Sequence, residues 1–243
     1  MKNMKKTEQK IIKWIKTKVK NTGAKGLIFG LSGGIDSAVV AALAKKSVGG
    51  NHLAIMMPCH SSKSSITDAR AVIRKLGLCS KKIDLTPIYD TALKTMGRAN
   101  DLAKANLKAR LRMMTLYYHA NTLNYLVVGT GNKSELLMGY YTKYGDGGVD
   151  ILPIADLLKR QVREMALLLK IPQAIIEKAP SADLWQGQTD EDEMGITYAE
   201  LDEIIISLET GRKSSCSKAK INKVKRNIKI SAHKREMPEI CRI

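Results

Sequence analysis

Eight consecutive residues, Gly30-Leu31-Ser32-Gly33-Gly34-Ile35-Asp36-Ser37, hold the densest chemistry in the chain. Glycines let a backbone turn tightly and come close to a ligand, successive N–H groups and the positive end of a following helix attract an anion, and Ser32 and Ser37 add hydroxyl donors. That combination cradles phosphate. It is not a Walker A loop, which needs G-x-x-x-x-G-K-[ST], because the lysine is missing and Asp36 stands where a bare anion site would not want a carboxylate. A carboxylate beside phosphates makes sense if it holds a hard cation, of which Mg²⁺ is the usual one. The bland alternative is a Gly-Gly turn followed by a helix cap. What precedes and follows the loop decides between them.

Four short apolar runs have strand character: Gly26 to Leu31, His52 to Met57, Lys82 to Leu85 and Tyr125 to Gly129. Helix-like stretches alternate with them. Ser37 to Lys46 is rich in Ala and Val, Ser65 to Leu76 opens with Ser65 and Asp68 in a capping pattern, and Leu102 to Asn121 is long and amphipathic, with Leu107, Leu111, Met114 and Tyr118 at helical spacing. The alternation predicts an α/β fold, a mostly parallel sheet with helices on both faces and right-handed crossovers. The glycine loop then falls between the first strand and its helix, where open parallel sheets bind ligands. Beyond Gly129 come a Gly- and Tyr-rich loop from Gly139 to Gly148, a helix from Asp156 to Leu169, an acidic loop from Ala179 to Gly195, and a helical region from Tyr198 onward, broken near Gly211.

A chain of 243 residues is one sizeable domain with an appendage. We read residues 1–22 as an N-terminal helix, 23–170 as the core, and 171–243 as a lid loop with a helical C-terminal region. With 44% hydrophobic and 26% charged residues the composition is that of a folded soluble protein. No apolar run spans a bilayer and the N-terminus is charged throughout, so neither secretion nor membrane insertion is expected. Cys59, Cys79, Cys216 and Cys241 are too scattered for a zinc site and read as reduced cytoplasmic thiols.

The net charge of +18 by itself suggests a polyanionic partner. Its excess is terminal: residues 1–25 carry +8, residues 211–243 carry +9, and the stretch between is nearly balanced. On both ends apolar residues recur at helical spacing, Ile11, Ile12, Ile15 and Val19 on the first and Ile221, Val224 and Ile228 on the second. The charge therefore reads first as the solvated face of a helix, with attraction of RNA or of a polyphosphate ligand as the alternative.

The string Ser-Gly-Gly-x-Asp-Ser resembles the pyrophosphate-binding loop of the ATP pyrophosphatase superfamily, whose Rossmann-like members activate a carbonyl or carboxyl group by AMP transfer. Four later segments narrow the resemblance: Gly129-Thr130-Gly131-Asn132-Lys133-Ser134-Glu135, the run from Gly139 to Asp150, the run from Pro180 to Glu191, and His233-Lys234-Arg235. In this order they resemble the signatures of the ammonia-dependent NAD synthetases, over nearly the whole chain.

By that resemblance, Gly30, Leu31, Ser32, Gly33, Gly34, Ile35, Asp36 and Ser37 hold ATP together with Thr130, Lys159 and Ser181, and Asp36 and Glu135 coordinate Mg²⁺. Arg110, Lys143, Asp150, His233 and Lys234 match positions that bind the second substrate, deamido-NAD, whose pyrophosphate and pyridine carboxylate suit cations. The implied reaction is adenylation of the nicotinate carboxylate followed by displacement of AMP by ammonia, giving NAD, AMP and pyrophosphate. It needs no protein nucleophile. Asp36, Glu135 and Asp150 are the catalytic candidates, with Asp150 and Asp183 as proton acceptors from ammonium. Only one helix precedes the loop, which leaves no room for a glutaminase domain, so free ammonia is the expected nitrogen source. The resemblance also implies a cytoplasmic homodimer without a membrane or nucleic-acid partner. The rival reading is a tRNA-modifying adenylating enzyme of the same superfamily, which the net charge would suit but which would call for an RNA-binding appendage.

Overall fold

The computed structural model describes residues 2–181 and 189–242. In chain order the elements are α1 (Lys2–Thr22), β1 (Gly26–Gly30), α2 (Ile35–Val48), β2 (His52–Met56), α3 (Lys63–Leu76), β3 (Ser80–Lys82), α4 (Thr86–Met96), α5 (Asp101–Leu123), β4 (Tyr125–Val127), α6 (Lys133–Met138), α7 (Lys159–Leu168), α8 (Gln173–Glu177), α9 (Asp190–Met194), α10 (Tyr198–Thr210), α11 (Lys218–Ile230) and α12 (Ala232–Arg235). The sheet runs β3-β2-β1-β4 and every pairing is parallel. The α/β alternation read from the sequence is the fold.

Alternate residues of β1 feed two cores. Leu27 and Phe29 pack with α1, α2 and α7, whereas Ile28 joins Ile55, Val127 and the apolar side of α4 and α5 on the other face. A third cluster, built on Leu201, Ile204, Ile205 and Val224, joins α10 and α11 to α6. The charged ends are anchored by their apolar stripes: Ile15 on α1 and Val224 on α11 are fully buried. This is what a basic amphipathic helix does when its charge faces water.

Two expectations need correction. The strand expected at Lys82 to Leu85 lies earlier, at Ser80–Lys82, because the Asp84 carboxylate accepts the Thr86 N–H at 3.0 Å and turns the chain into α4, which was not anticipated. Ile83 and Leu85 supply core from that turn instead. The cap of α3 is Ser62, whose hydroxyl accepts the Ser65 N–H, and not Ser65 itself. On α5 the four residues at helical spacing divide: Leu111 is buried, Leu107 packs partly buried against the same core, and Met114 and Tyr118 are exposed.

His52 at the start of β2 is buried and lies parallel to the Phe29 ring. Its Nδ1 contacts Gly49 O at 2.6 Å and its Nε2 accepts the Cys79 N–H at 3.2 Å. Only the neutral ring with its proton on Nδ1 satisfies both contacts. Burial accordingly holds its pKa below the ordinary histidine value.

Candidate active site

The glycine loop leaves β1 and enters α2 at the C-terminal edge of the sheet. Gly33 has φ +88, and a Cβ there would lie 2.5 Å from Ser65 O, so the loop can press against α3 only as glycine. Gly34 caps α2 without a side-chain hydrogen bond. The first-turn N–H groups of α2 thus have no side-chain partner at their cap, a ready anion seat. Ser37 Oγ donates to Gly34 O at 2.9 Å and lies 3.1 Å from Ser32 Oγ, which in turn accepts the Gly34 N–H. The two hydroxyls therefore stiffen the loop they line.

Asp36, in the first turn of α2, and Glu135, in the first turn of α6, approach one another across the sheet edge. Asn132 links them: its side chain caps α6 and takes part in a capping box with Glu135, while its Nδ2 donates to Asp36 Oδ1 at 2.8 Å. Between the carboxylates sits the ammonium of Lys159, 2.6 Å from Asp36 Oδ2 and 3.0 Å from Glu135 Oε1. Lys159 is only 1% exposed. Burial opposes its charge, but Asp36 and Glu135 outweigh that and hold its pKa above the ordinary lysine value. Burial raises the Glu135 pKa in spite of Lys159, with Asp36 and Asp190 adding to the rise.

Tyr198, at the start of α10, closes the group. Its hydroxyl lies 2.9 Å from Asp190 Oδ2 and 3.2 Å from Glu135 Oε1, and its ring centre is 4.7 Å from Lys159 Nζ. Asp190 is buried, and its Oδ1 has no hydrogen-bond partner among the described residues. Two carboxylates thus pair with one ammonium, and a third, Asp190, stands on the far side of the Tyr198 hydroxyl. The donors are hard oxygens, and one oxygen from each of Asp36 and Glu135 already shares a cation, so the residues present fit Mg²⁺.

Two adjoining cavities open here. The first, of about 660 Å³, runs from Gly30, Leu31, Ser32 and Ser37 past Thr130 and an apolar stretch of α5 to Arg110, Lys143, His233 and Lys234. The second, of about 640 Å³, contains Ser32, Gly34, Ile35, Asp36, Ser37, Thr130, Glu135, Lys159 and Ser181. Ser32, Ser37 and Thr130 line both. Each is of a size suited to a nucleotide. Gly33 lines neither and shapes the loop from behind.

Arg110, Lys143, His233 and Lys234, expected for the second substrate, do meet at one end of the first cavity, but the three basic side chains among them also hold backbone. Arg110 donates to Lys143 O at 3.4 Å, Lys143 Nζ donates to His233 O, and Lys234 Nζ donates to Gly139 O and Tyr141 O at 2.7 Å each. Arg235 lashes the same corner through Leu136 O and Ile228 O.

Asp150 stands apart. Its carboxylate accepts from Tyr117 Oη at 2.9 Å and from the Val127 N–H at 2.7 Å, and it is exposed and lines neither cavity. The chain returns beside β4 at this point, which turns Asp150 onto the strand end and away from the pocket. Asp183 lies outside the described residues. Ser181, exposed, lines the second cavity, and Thr189 caps α9. Lys159 is the most buried cation of the site.

The sequence reading missed Asn132, Asp190, Tyr198 and Asp202. Asn132-x-x-Glu135 is a capping-box pattern and was there to be found. Asp202 carries no local signal, because Ser134 and Arg160 lie tens of residues away, and nothing in the sequence ties Tyr198 to the distant Glu135.

The family model for NAD synthase matches residues 7–238. The NH3-dependent NAD(+) synthetase of Archaeoglobus fulgidus is 46% identical over 244 residues, covering 99% of this chain and 98% of that protein. Among solved structures, one described as NMN synthetase from Francisella tularensis superposes with a TM-score of 0.91 at 40% identity, covering 99% of both chains. An NH3-dependent NAD synthetase from Campylobacter jejuni gives 0.86 at 34%, covering 98% of this chain and 99% of that one. With the model matching nearly end to end and the relatives aligning over their whole length, the chain belongs to the NAD synthase family.

Proposed function

We propose that this protein forms NAD by amidating deamido-NAD with ammonia, splitting ATP to AMP and pyrophosphate through an acyl-adenylate. The observation that carries the reading is the Asp36–Lys159–Glu135 group set at the end of the glycine loop, in a cavity adjoining one rimmed by Arg110, Lys143, His233 and Lys234. One end suits a polyphosphate and the other suits an acidic nucleotide.

In this reading Gly30 to Ser37, Thr130, Lys159 and Ser181 hold ATP, with the loop N–H groups and the Lys159 ammonium facing the phosphates. Asp36 and Glu135 would hold Mg²⁺, which when bound offsets negative charge on the departing pyrophosphate. Arg110, Lys143, His233 and Lys234 orient deamido-NAD so that its carboxylate meets the α-phosphorus. Asp150 acts only through the loop it ends and the Tyr117 hydroxyl it holds. The exposed Met114 and Tyr118 face of α5 is where we place a second copy of the chain, and we place the protein in the cytoplasm. Among the described residues no helix is long and apolar enough to cross a membrane.

The test is to supply Mg-ATP, deamido-NAD and ammonium and to identify both products. NAD with AMP and pyrophosphate in equal amounts is expected; ADP, or AMP formed only when tRNA is added, would overturn the reading. Because one similar structure is described as NMN synthetase, the deamido mononucleotide belongs in the same assay as a second acid substrate. Amidation of the mononucleotide in preference to deamido-NAD would narrow the substrate to that half of the molecule.

A further inference from the structure

All four oxygens of the two carboxylates proposed to hold the divalent ion are already engaged. Asp36 Oδ1 accepts from Asn132 Nδ2 and Oδ2 takes the Lys159 ammonium. Glu135 Oε1 takes the same ammonium and the Tyr198 hydroxyl, and Oε2 accepts the Asn132 N–H at 3.3 Å. Consistent with this, no group of three or more His, Cys, Asp or Glu among the described residues is arranged to hold a metal ion. A divalent ion arriving alone would have to settle against a buried ammonium at close range, where like charges repel strongly.

The lysine is built to give way. Its backbone N–H is fixed by Ser134 Oγ at 3.1 Å, and the next N–H of α7, that of Arg160, is fixed by Asp202 at 2.9 Å. The anchorage is at the root, whereas the ammonium sits at the end of a flexible four-carbon stem in the wall of the second cavity. A polyphosphate seated on the glycine loop would offer that ammonium more negative charge than two shared carboxylates do. Once it leaves, Asp36 and Glu135 are short of one cation.

We propose that Lys159 is a resident cation occupying the divalent-ion place between Asp36 and Glu135, so that the ion enters only together with a nucleotide that draws the lysine away. The proposal rests on the reading of Asp36 and Glu135 as the cation ligands. It makes Lys159 a gate on the order of binding as well as a phosphate contact, and it makes Tyr198, under the same ammonium, the residue that seats the gate.

Direct binding of Mn²⁺, read by the loss of its free-ion magnetic resonance signal, tests this without any turnover. The wild-type protein is expected to bind Mn²⁺ alone at least roughly tenfold more weakly than with a non-hydrolysable ATP analogue, as a buried like-charge contact demands. Lys159→Met should bind Mn²⁺ without nucleotide at least about tenfold more tightly than wild type, and the added change Asp36→Asn should abolish that gain. Lys159→Gln, which keeps hydrogen-bonding capacity, serves if Lys159→Met does not fold, and every measurement with analogue is taken against the Mn²⁺ that the analogue binds without protein. Equal Mn²⁺ affinity of the wild type with and without analogue, lost in Asp36→Asn, would overturn the gate and leave the cation site intact. Nucleotide-dependent Mn²⁺ binding that survives Asp36→Asn would overturn the site assignment and the gate with it.

Discussion

The Ser134 hydroxyl donates to Asp202 Oδ1 at 2.5 Å, joining α6 to α10 at a point buried behind the active-site carboxylates. The other oxygen of Asp202 accepts the Arg160 N–H, and Ser134 Oγ accepts the Lys159 N–H. One carboxylate thus sets the start of α7 relative to the helix that carries Glu135. Asp202→Ala strips two buried donors of their acceptor and should cost about 2–4 kcal/mol in denaturant unfolding. Asp202→Asn, which keeps an oxygen for Arg160, should cost less than half as much. Equal losses in the two variants would mean that the carboxylate does not organise this corner.

Asp36→Asn keeps the shape of the loop and leaves Lys159 paired with Glu135. NAD formation should fall by about 100-fold, the scale associated with losing one preorganised electrostatic contact, while the melting temperature moves little. A variant with near wild-type turnover would remove Asp36 from the chemistry.

Gly33→Ala asks an L-residue to hold φ +88 with its methyl 2.5 Å from Ser65 O and 2.9 Å from the Ala69 nitrogen. We expect about 2–4 kcal/mol of destabilisation from strain and overlap together. The ATP dissociation constant should rise roughly tenfold or more as the loop is displaced from α3. Calorimetric titration of ATP into the folded variant checks it.

Gly139→Ala strikes the other cavity. A Cβ there would meet Ser231 Cβ at 2.2 Å, at the junction of α11 and α12, and would push away the turn that carries His233 and Lys234. Deamido-NAD binding should weaken about tenfold while ATP binding stays within about twofold of wild type. Parallel loss of both would show that the two cavities do not act separately.

Stability should depend on His52. The folded state favours the neutral ring and lowers its pKa from 6.5, so the unfolded chain binds more protons between the folded pKa and 6.5. Stability is therefore full above about pH 6.5 and falls as the pH drops below it, by at most about 1.4 kcal/mol per pH unit, until the folded pKa is passed. His52→Gln should flatten that part of the curve. An unchanged slope would assign the acid sensitivity to other groups.

How far the sequence discloses this structure depends on the range over which each decision is made. The β1 loop and α2 are local: Gly33, Gly34 and an Ala- and Val-rich helix announce themselves within twenty residues, and the structure places them as read. β3 is an edge strand of three exposed residues, and its boundary is set by one Asp84 side chain turning into α4, which an apolar-run argument passes over. The motif around Glu135 is legible, but its meeting with Asp36 through Lys159 depends on how α2, α6 and α7 pack, and no spacing encodes that. Asp150 shows the converse, a legible motif with an orientation that no spacing encodes. Its place in a motif suggested the pocket, while the return of the chain along β4 turned it toward Tyr117.

The first cavity has Gly30 on one side and Lys234 on another, residues near opposite ends of the chain. During synthesis, the glycine loop and its sheet neighbours leave the ribosome long before the turn that completes the substrate wall. A nascent chain that has emerged only through α10 holds the phosphate loop, Asp36, Glu135 and Lys159, and with them Arg110 and Lys143, yet lacks His233 and Lys234. The residues around the phosphate loop are therefore all synthesised at a stage when the wall of the other cavity still lacks its last turn.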